Sequence, residues 1–308
     1  MRTTAPAPLL AALISVLLPV GAPGSAEARQ AAPAPSEVPG ATLSWRPSTP
    51  AQGRLVALRV QEPPGRPLRS LSGRGGGETL HFHAVGGGAW ESLVPVAVDA
   101  SGDLIADVEL TYRDGGRERL RHAAPVASGD FRHERLTVAP QFGRPPTEEE
   151  AARRARDVAR ARAVSETAHR TPRLWTPEVV LPRSDRVTSG FGNGREFNGR
   201  ISSRHMGLDL DGETGDTVYA ATRGVVALAD EFLLAGNVVY LNHGAGLVTG
   251  YFHLSRTLAA AGDTVRAGTP IGLVGATGRV TGPHLHWVVR YGHVSVDPES
   301  LLEVAGGR

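Results

Sequence analysis

The chain has no cysteine and no lysine among its 308 residues, and aromatics make up only 5% of it. Without cysteine there is no disulfide framework, so the apolar core must hold the fold unaided. No thiol is present to carry a lipid anchor either. Without lysine, the role of a carrier domain modified at an exposed lysine is closed. All 33 basic residues are therefore arginine, and against 31 acidic residues the formal net charge is only +2. That leaves little electrostatic basis for nucleic-acid binding. Few aromatics beside 38 glycines suit strands and turns better than a helical bundle, and the length accommodates two domains with cores of their own.

What is present concentrates in three short stretches. Residues 201–210 read Ile-Ser-Ser-Arg-His-Met-Gly-Leu-Asp-Leu, and residues 282–287 read Gly-Pro-His-Leu-His-Trp. Side chains on a strand alternate between faces. If both stretches are strands, His205, Asp209, His284 and His286 share one face. Met206, Leu208 and Leu210, with Leu285, Trp287 and Val289, then point the other way, as in a half-buried strand. The third stretch, residues 251–254, repeats the alternation with Tyr251 and His253 on one side and Phe252 and Leu254 on the other. Neutral imidazole and carboxylate are donors that zinc accepts, and a catalytic zinc keeps three protein ligands and one open position. One histidine alone is more often a core or surface residue; four with an aspartate in matched alternation are a candidate metal site.

His-Met-Gly-Leu-Asp, Tyr-Phe-His-Leu and His-Leu-His, in that order, resemble the lysostaphin-type (LytM-type) zinc metallopeptidases, which cut peptide cross-links in peptidoglycan. Ser-Gly-Phe-Gly at 189–192, Asn-His-Gly at 242–244 and Gly-Ala-Thr-Gly at 275–278 extend the likeness over residues 172–303. The resemblance implies zinc held by His205, Asp209 and His286, with His253 and His284 as the two catalytic histidines that do not bind the metal. None of the five positions departs from the pattern. It also implies a folded antiparallel β-sheet as the catalytic domain and peptidoglycan stem peptides as substrate, with proteins of the cell-wall machinery as possible partners.

Residues 1–28 read as a secretory signal peptide: Arg2, an apolar run over residues 9–18, and Ala-Glu-Ala at 26–28 as a cleavage site. Pro19, Gly21 and Pro23 break the run short of the roughly 20 residues that span a bilayer. The expectation is an exported protein, periplasmic or secreted, with no stable membrane anchor. Residues 29–40 form a Pro/Ala-rich linker. Residues 41–141 hold short alternating runs at 54–60, 93–98 and 106–112, the last ending in Asp114-Gly115-Gly116, and suggest a β-sandwich-like accessory domain. Its His81 and His83 copy the spacing of the later pair without a carboxylate in a matching strand; His122 and His133 read as surface residues. Residues 147–168 read as a connecting helix with Thr147 and Glu150 as a capping box, and Val158 and Val164 as its sparse apolar contacts. The expected fold is thus mainly β, with one helix between two β domains.

Within 172–303 a motif recurs: Gly-Asp-Thr-Val at 215–218 and again at 262–265, each followed by a glycine-containing strand. Other polar residues carry simpler readings. Asp211 shares the His205 face but precedes Gly212, which favours a turn role. His243 reads as structural, at a turn, and His293 as solvent-facing. Asn198 is a candidate to line the groove or to cap the metal. For catalysis, imidazole suits both proton acceptance and donation. His284 is the favoured general base and His253 the group that steadies the oxyanion, in an order the sequence leaves interchangeable, with Tyr251 as a helper. The alternative is a non-catalytic wall-binding scaffold, or an activator of a partner cell-wall hydrolase, and a third is an enzyme held latent by its N-terminal part.

Overall fold

Strands β1 (Thr42–Arg46), β2 (Leu55–Gln61), β3 (Leu68–Gly75), β4 (Glu78–Leu80), β5 (His83–Gly86), β6 (Ala89–Pro95), β7 (Asp103–Tyr112) and β8 (Arg117–Pro125) build two antiparallel sheets in a computed structural model. Residues 40–305 are described, apart from Gly143 and Arg200; the expected signal peptide and all of the linker but Gly40 lie outside them. The sheet orders are β1-β2-β6-β5 and β4-β3-β7-β8. β7 explains the arrangement: Leu104, Ala106, Val108, Leu110 and Tyr112 are buried at every second position. They meet Trp45, Val56, Leu58, Val60 and Val94 of the other sheet in one apolar cluster. β6 stops at Pro95, short of the expected run to 98, and the Val96 amide makes one further bond, to Arg54 O at 2.9 Å.

β9 (His133–Leu136) leaves this part of the chain, and α1 (Glu148–Arg170) follows. The Thr147 side chain accepts the Glu150 amide at 3.2 Å, and Glu150 accepts the Thr147 amide at 2.8 Å. Ala161, Val164 and Ala168 pack on Phe232, Val238, Tyr240 and Val248. Val158 does not join them; it is 66% exposed, because it falls on the arginine-rich outer face. At the helix end His169 stands 2.8 Å from His81 Nε2 and 3.1 Å from Glu78. His83 lies edge-on to Trp175, so both early histidines pack at the junction with the following domain.

That domain runs through β10 (Val187–Ser189), β11 (Gly194–Phe197), β12 (Ile201–Arg204), β13 (Leu208–Asp211), β14 (Thr217–Tyr219), β15 (Gly224–Phe232), β16 (Gly236–Gly244) and β17 (Leu247–Leu254). It continues through β18 (Arg256–Thr257), β19 (Thr264–Val265), β20 (Pro270–Leu273), β21 (His284–Tyr291), β22 (Val294–Val296) and α2 (Pro298–Ala305). The main sheet has the order β10-β13-β21-β17-β16-β15-β19, with β22 on β21. Two small sheets flank it, β14-β20-β18 and β12-β11-β9.

The repeated motif is a repeated structure. Gly215 and Gly262 have φ of 102° and 98°, a region open to glycine. The Asp216 carboxylate accepts the Glu213 amide at 2.9 Å, and that of Asp263 accepts the Ala260 amide at 2.8 Å. The copies then exchange partners. Gly215 N bonds Val274 O and Val274 N bonds Asp216 O, while Gly262 N bonds Val226 O and Val226 N bonds Asp263 O.

Residues 201–210 are two strands rather than one. The chain breaks at residues 205–207 because His205 pairs with the preceding turn, its N to Asn193 O and its O to Gly192 N. Gly207 then runs so close to β21 that a Cβ would lie 2.6 Å from both His286 Cε1 and Trp287 O.

The two β parts share one interior. Leu55 and Leu93 of the accessory sheets are buried in the same cluster as Trp287, Leu301 and Val304. Arg54 pairs with Asp297 at 2.7 Å, and the Leu55 amide donates to Ser300 Oγ at 2.9 Å. Neither described helix is long and apolar enough to cross a membrane.

Candidate metal centre

β13 lies antiparallel to β21, with Asp209 opposite His286 and Asp211 opposite His284. Leu208, Leu210, Leu285, Trp287 and Val289 are fully buried on the opposite face, which leaves the polar positions facing a groove of about 660 Å³. His205 reaches the same groove from the break before β13. Its Nδ1 is 2.7 Å from Gly190 O and 3.1 Å from Ser189 Oγ. A carbonyl only accepts, so Nδ1 carries the proton and Nε2 presents a lone pair.

That lone pair stands 2.9 Å from Asp209 Oδ1 and 2.9 Å from His286 Nδ1, which is itself 2.6 Å from the same oxygen. Three electron-pair donors thus converge from two segments far apart in sequence. Such a set repels itself unless a cation lies among them, and two imidazoles with a carboxylate are donors a divalent metal takes. Burial pushes His286 down to about 4 against the pull of Asp209, which keeps it neutral, as a ligand must be.

The second oxygen of Asp209 is occupied. Arg195 Nη2 donates to Oδ2 at 2.5 Å, and Arg195 Nε donates to Glu134 at 3.0 Å. Glu134 also accepts from Ser189 Oγ and from Asn193 Nδ2, each at 2.7 Å. Arg195 and Glu134 were not legible as site residues. Glu134 arrives on β9, which pairs in parallel with β11, a crossover contact that strand alternation does not encode.

His284 and His253 flank the triad with ring centroids 5.0 Å apart. His284 Nδ1 donates to Gly282 O at 2.8 Å, and His253 Nδ1 donates to Thr277 O at 2.8 Å. Each therefore offers an unprotonated Nε2, and that of His284 lies 3.7 Å from Asp209 Oδ1. Burial, with His286 and His284 nearby, pushes His253 down to about 3.

Several expectations change here. Tyr251 does not face the groove: it lies opposite Trp287, is fully buried, and accepts the Ala221 amide at 2.8 Å. Phe252, opposite His286, lines the groove instead, its ring 5.3 Å from that imidazole. His253 escapes the alternation through a φ of 63°, which swings it back to the groove side. Met206 lines the groove rather than the core. The Asn198 amide is spent on the Val138 backbone at 2.9 and 3.0 Å, so it caps nothing at the triad. His243 lies inside β16, bonded to Arg223 O and Thr249 Oγ1. Asp211 accepts the Gly212 amide and pairs with Arg186.

The model of peptidase family M23 matches residues 203–298. The chain carries an M23 peptidase domain. The M23 domain is the family to which the lysostaphin-type motifs point. Over 118 residues, 38% of the chain, it is 37% identical to peptidoglycan DD-endopeptidase ShyC of Vibrio cholerae serotype O1, covering 27% of that protein. Over 83 residues, 27% of the chain, it is 46% identical to peptidoglycan DD-endopeptidase ShyA of the same organism, covering 19% of it. The chain thus spans less than a third of these curated relatives. A solved structure of a peptidase M23 from Pseudomonas aeruginosa shares the fold at a TM-score of 0.64 and 24% identity. That likeness covers 83% of this chain and 96% of the other, so it reaches beyond the M23 domain.

Proposed function

We propose that the chain is an exported zinc-dependent endopeptidase that hydrolyses the peptide cross-links of peptidoglycan. The observation that carries this is the convergence of His205 Nε2, His286 Nδ1 and Asp209 Oδ1 between two imidazoles that each present a free Nε2. These three residues would hold zinc, which supplies a Lewis acid and lowers the pKa of its water towards about 7. His284 takes the proton of the attacking water at Nε2 and returns it to the leaving amine. His253, its Nδ1–H held by the Thr277 carbonyl, accepts a hydrogen bond from the attacking water at Nε2 and so orients it. Thr277 and Gly282 fix the two rings through their carbonyls, and Arg195 steadies Asp209.

The names of the Vibrio relatives support peptidoglycan as the substrate, and the N-terminal Arg2, apolar run and Ala-Glu-Ala site support export. The test is digestion of purified cross-linked sacculi by the mature protein, with and without a chelator. Chelator-sensitive loss of cross-linked muropeptides is expected. Intact cross-links at full zinc occupancy would sink the reading in favour of a wall-binding scaffold.

A further inference from the structure

Four arginines line the groove: Arg135, Arg195, Arg204 and Arg279. Three have partners. Arg195 pairs with Glu134 and Asp209, Arg135 stands 3.9 Å from Glu196, and Arg204 donates to Gly192 O at 2.9 Å. Arg279 differs. Among the described residues no carboxylate lies within 4.0 Å of its guanidinium, and the charges that act on it most are Arg154 and Arg195. The nearby acids are committed elsewhere, Glu134 to Arg195 and Glu150 to Arg144.

Arg279 is also held in place. Its Cζ sits 4.1 Å from the centroid of the Phe197 ring, and Phe197 is itself buried. Its backbone N–H donates to Leu234 O at 2.8 Å. It follows Thr277, the residue whose carbonyl orients His253, by two positions. Burial and the two neighbouring arginines push its pKa down to about 10, which still leaves a full positive charge at neutral pH. A half-buried cation among other cations, without a counter-charge, is unfavourable. Stacking on Phe197 fixes the plane of the guanidinium, so its edge offers the paired donors that match a carboxylate.

We propose that Arg279 binds a carboxylate of the substrate peptide close to the scissile bond and so selects acidic over amidated stem peptides. This rests on the endopeptidase reading for the identity of the peptide, while the recognition itself needs no turnover. The test therefore uses the zinc-loaded mature protein and two synthetic stem peptides without a cross-link to cut, which differ only in a free or amidated carboxylate, titrated by calorimetry. Wild type is expected to bind the acid about ten-fold more tightly than the amide. Arg279→Gln should bind both at the level of the amide, and Arg279→Lys, which keeps the charge, should retain part of the preference. Thermal melts of both variants check that they fold. Equal binding of the two peptides by wild type, no binding of either, or a preference unchanged in a folded Arg279→Gln overturns the proposal. A carboxylate preference in a zinc-loaded protein that leaves sacculi uncut would uphold this site and overturn the endopeptidase reading.

Discussion

Asp209 has two oxygens with two duties. Oδ1 points at the imidazoles and Oδ2 is pinned by Arg195, which Glu134 holds in turn. Partners that orient a ligand are worth roughly 10- to 100-fold in metal affinity. Arg195→Gln should therefore weaken divalent-metal binding by about that factor, and Glu134→Gln by less, in competition against a chromophoric chelator. An unchanged dissociation constant in folded Arg195→Gln would show that the clamp does not position Asp209. His243, away from the groove, gives a pH-dependent contribution at the same scale. It is fully buried, and burial holds it down to about 4 against an ordinary 6.5. Below 6.5 the unfolded chain takes up the proton first, so this stability is complete above 6.5 and lost as pH falls through about 4. A shift of that size is worth roughly 3 kcal/mol. Urea titrations at pH 7 and pH 4 should show His243→Gln losing less stability between them than wild type, by about that amount.

At the scale of the element, the argument turns on where strand alternation holds and where it fails. β21 obeys it throughout: His284 and His286 face the groove while Leu285, Trp287 and Val289 are buried. That half of the site was legible in residues 284–289 alone. The other half was named by the same alternation, but two of its members, His205 and His253, get there by backbone events that override the period of two. His205 reaches the triad only through the break at residues 205–207, and His253 only through its positive φ. Tyr251 and Phe252 consequently exchange the faces that simple alternation assigns them. Arg195 and Glu134 were invisible for a different reason: they meet through a parallel pairing between remote segments, and nothing local marks such a contact. The recurring Gly-Asp-Thr-Val was legible as a repeat, but not the way its copies exchange hydrogen bonds. The break itself is testable at Gly207. A methyl there would meet the ring of His286 and the Trp287 carbonyl at 2.6 Å, too close for backbone to tolerate. Gly207→Ala should lower stability by about 1–3 kcal/mol and reduce bound metal per chain, read by denaturation and by metal analysis. Full metal content at wild-type stability would mean that the approach of β13 to β21 is looser than the structure has it.

For the whole molecule, the question is whether the accessory sheets are an appendage or part of the M23 domain's own core. Leu55 and Leu93 sit in the cluster that holds Trp287, Leu301 and Val304. Arg54 and the Leu55 amide reach Asp297 and Ser300, and β9 supplies both a groove wall and Glu134. Removing residues before 172 would open an apolar face and withdraw the support of Arg195 together. Loss of activity in such a fragment would therefore report a damaged core, and could not be read as the absence of an inhibitor. Point substitution separates the effects more cleanly. Leu93→Ala leaves the groove untouched and removes a side chain that is only 5% exposed, at a cost of about 2–5 kcal/mol. If the two parts share one interior, calorimetry on residues 40–305 gives a single transition whose calorimetric and van't Hoff enthalpies agree, and Leu93→Ala moves all of it downwards. Two transitions, of which only the accessory one moves, would make the M23 domain self-sufficient and the shared cluster a contact between independent bodies.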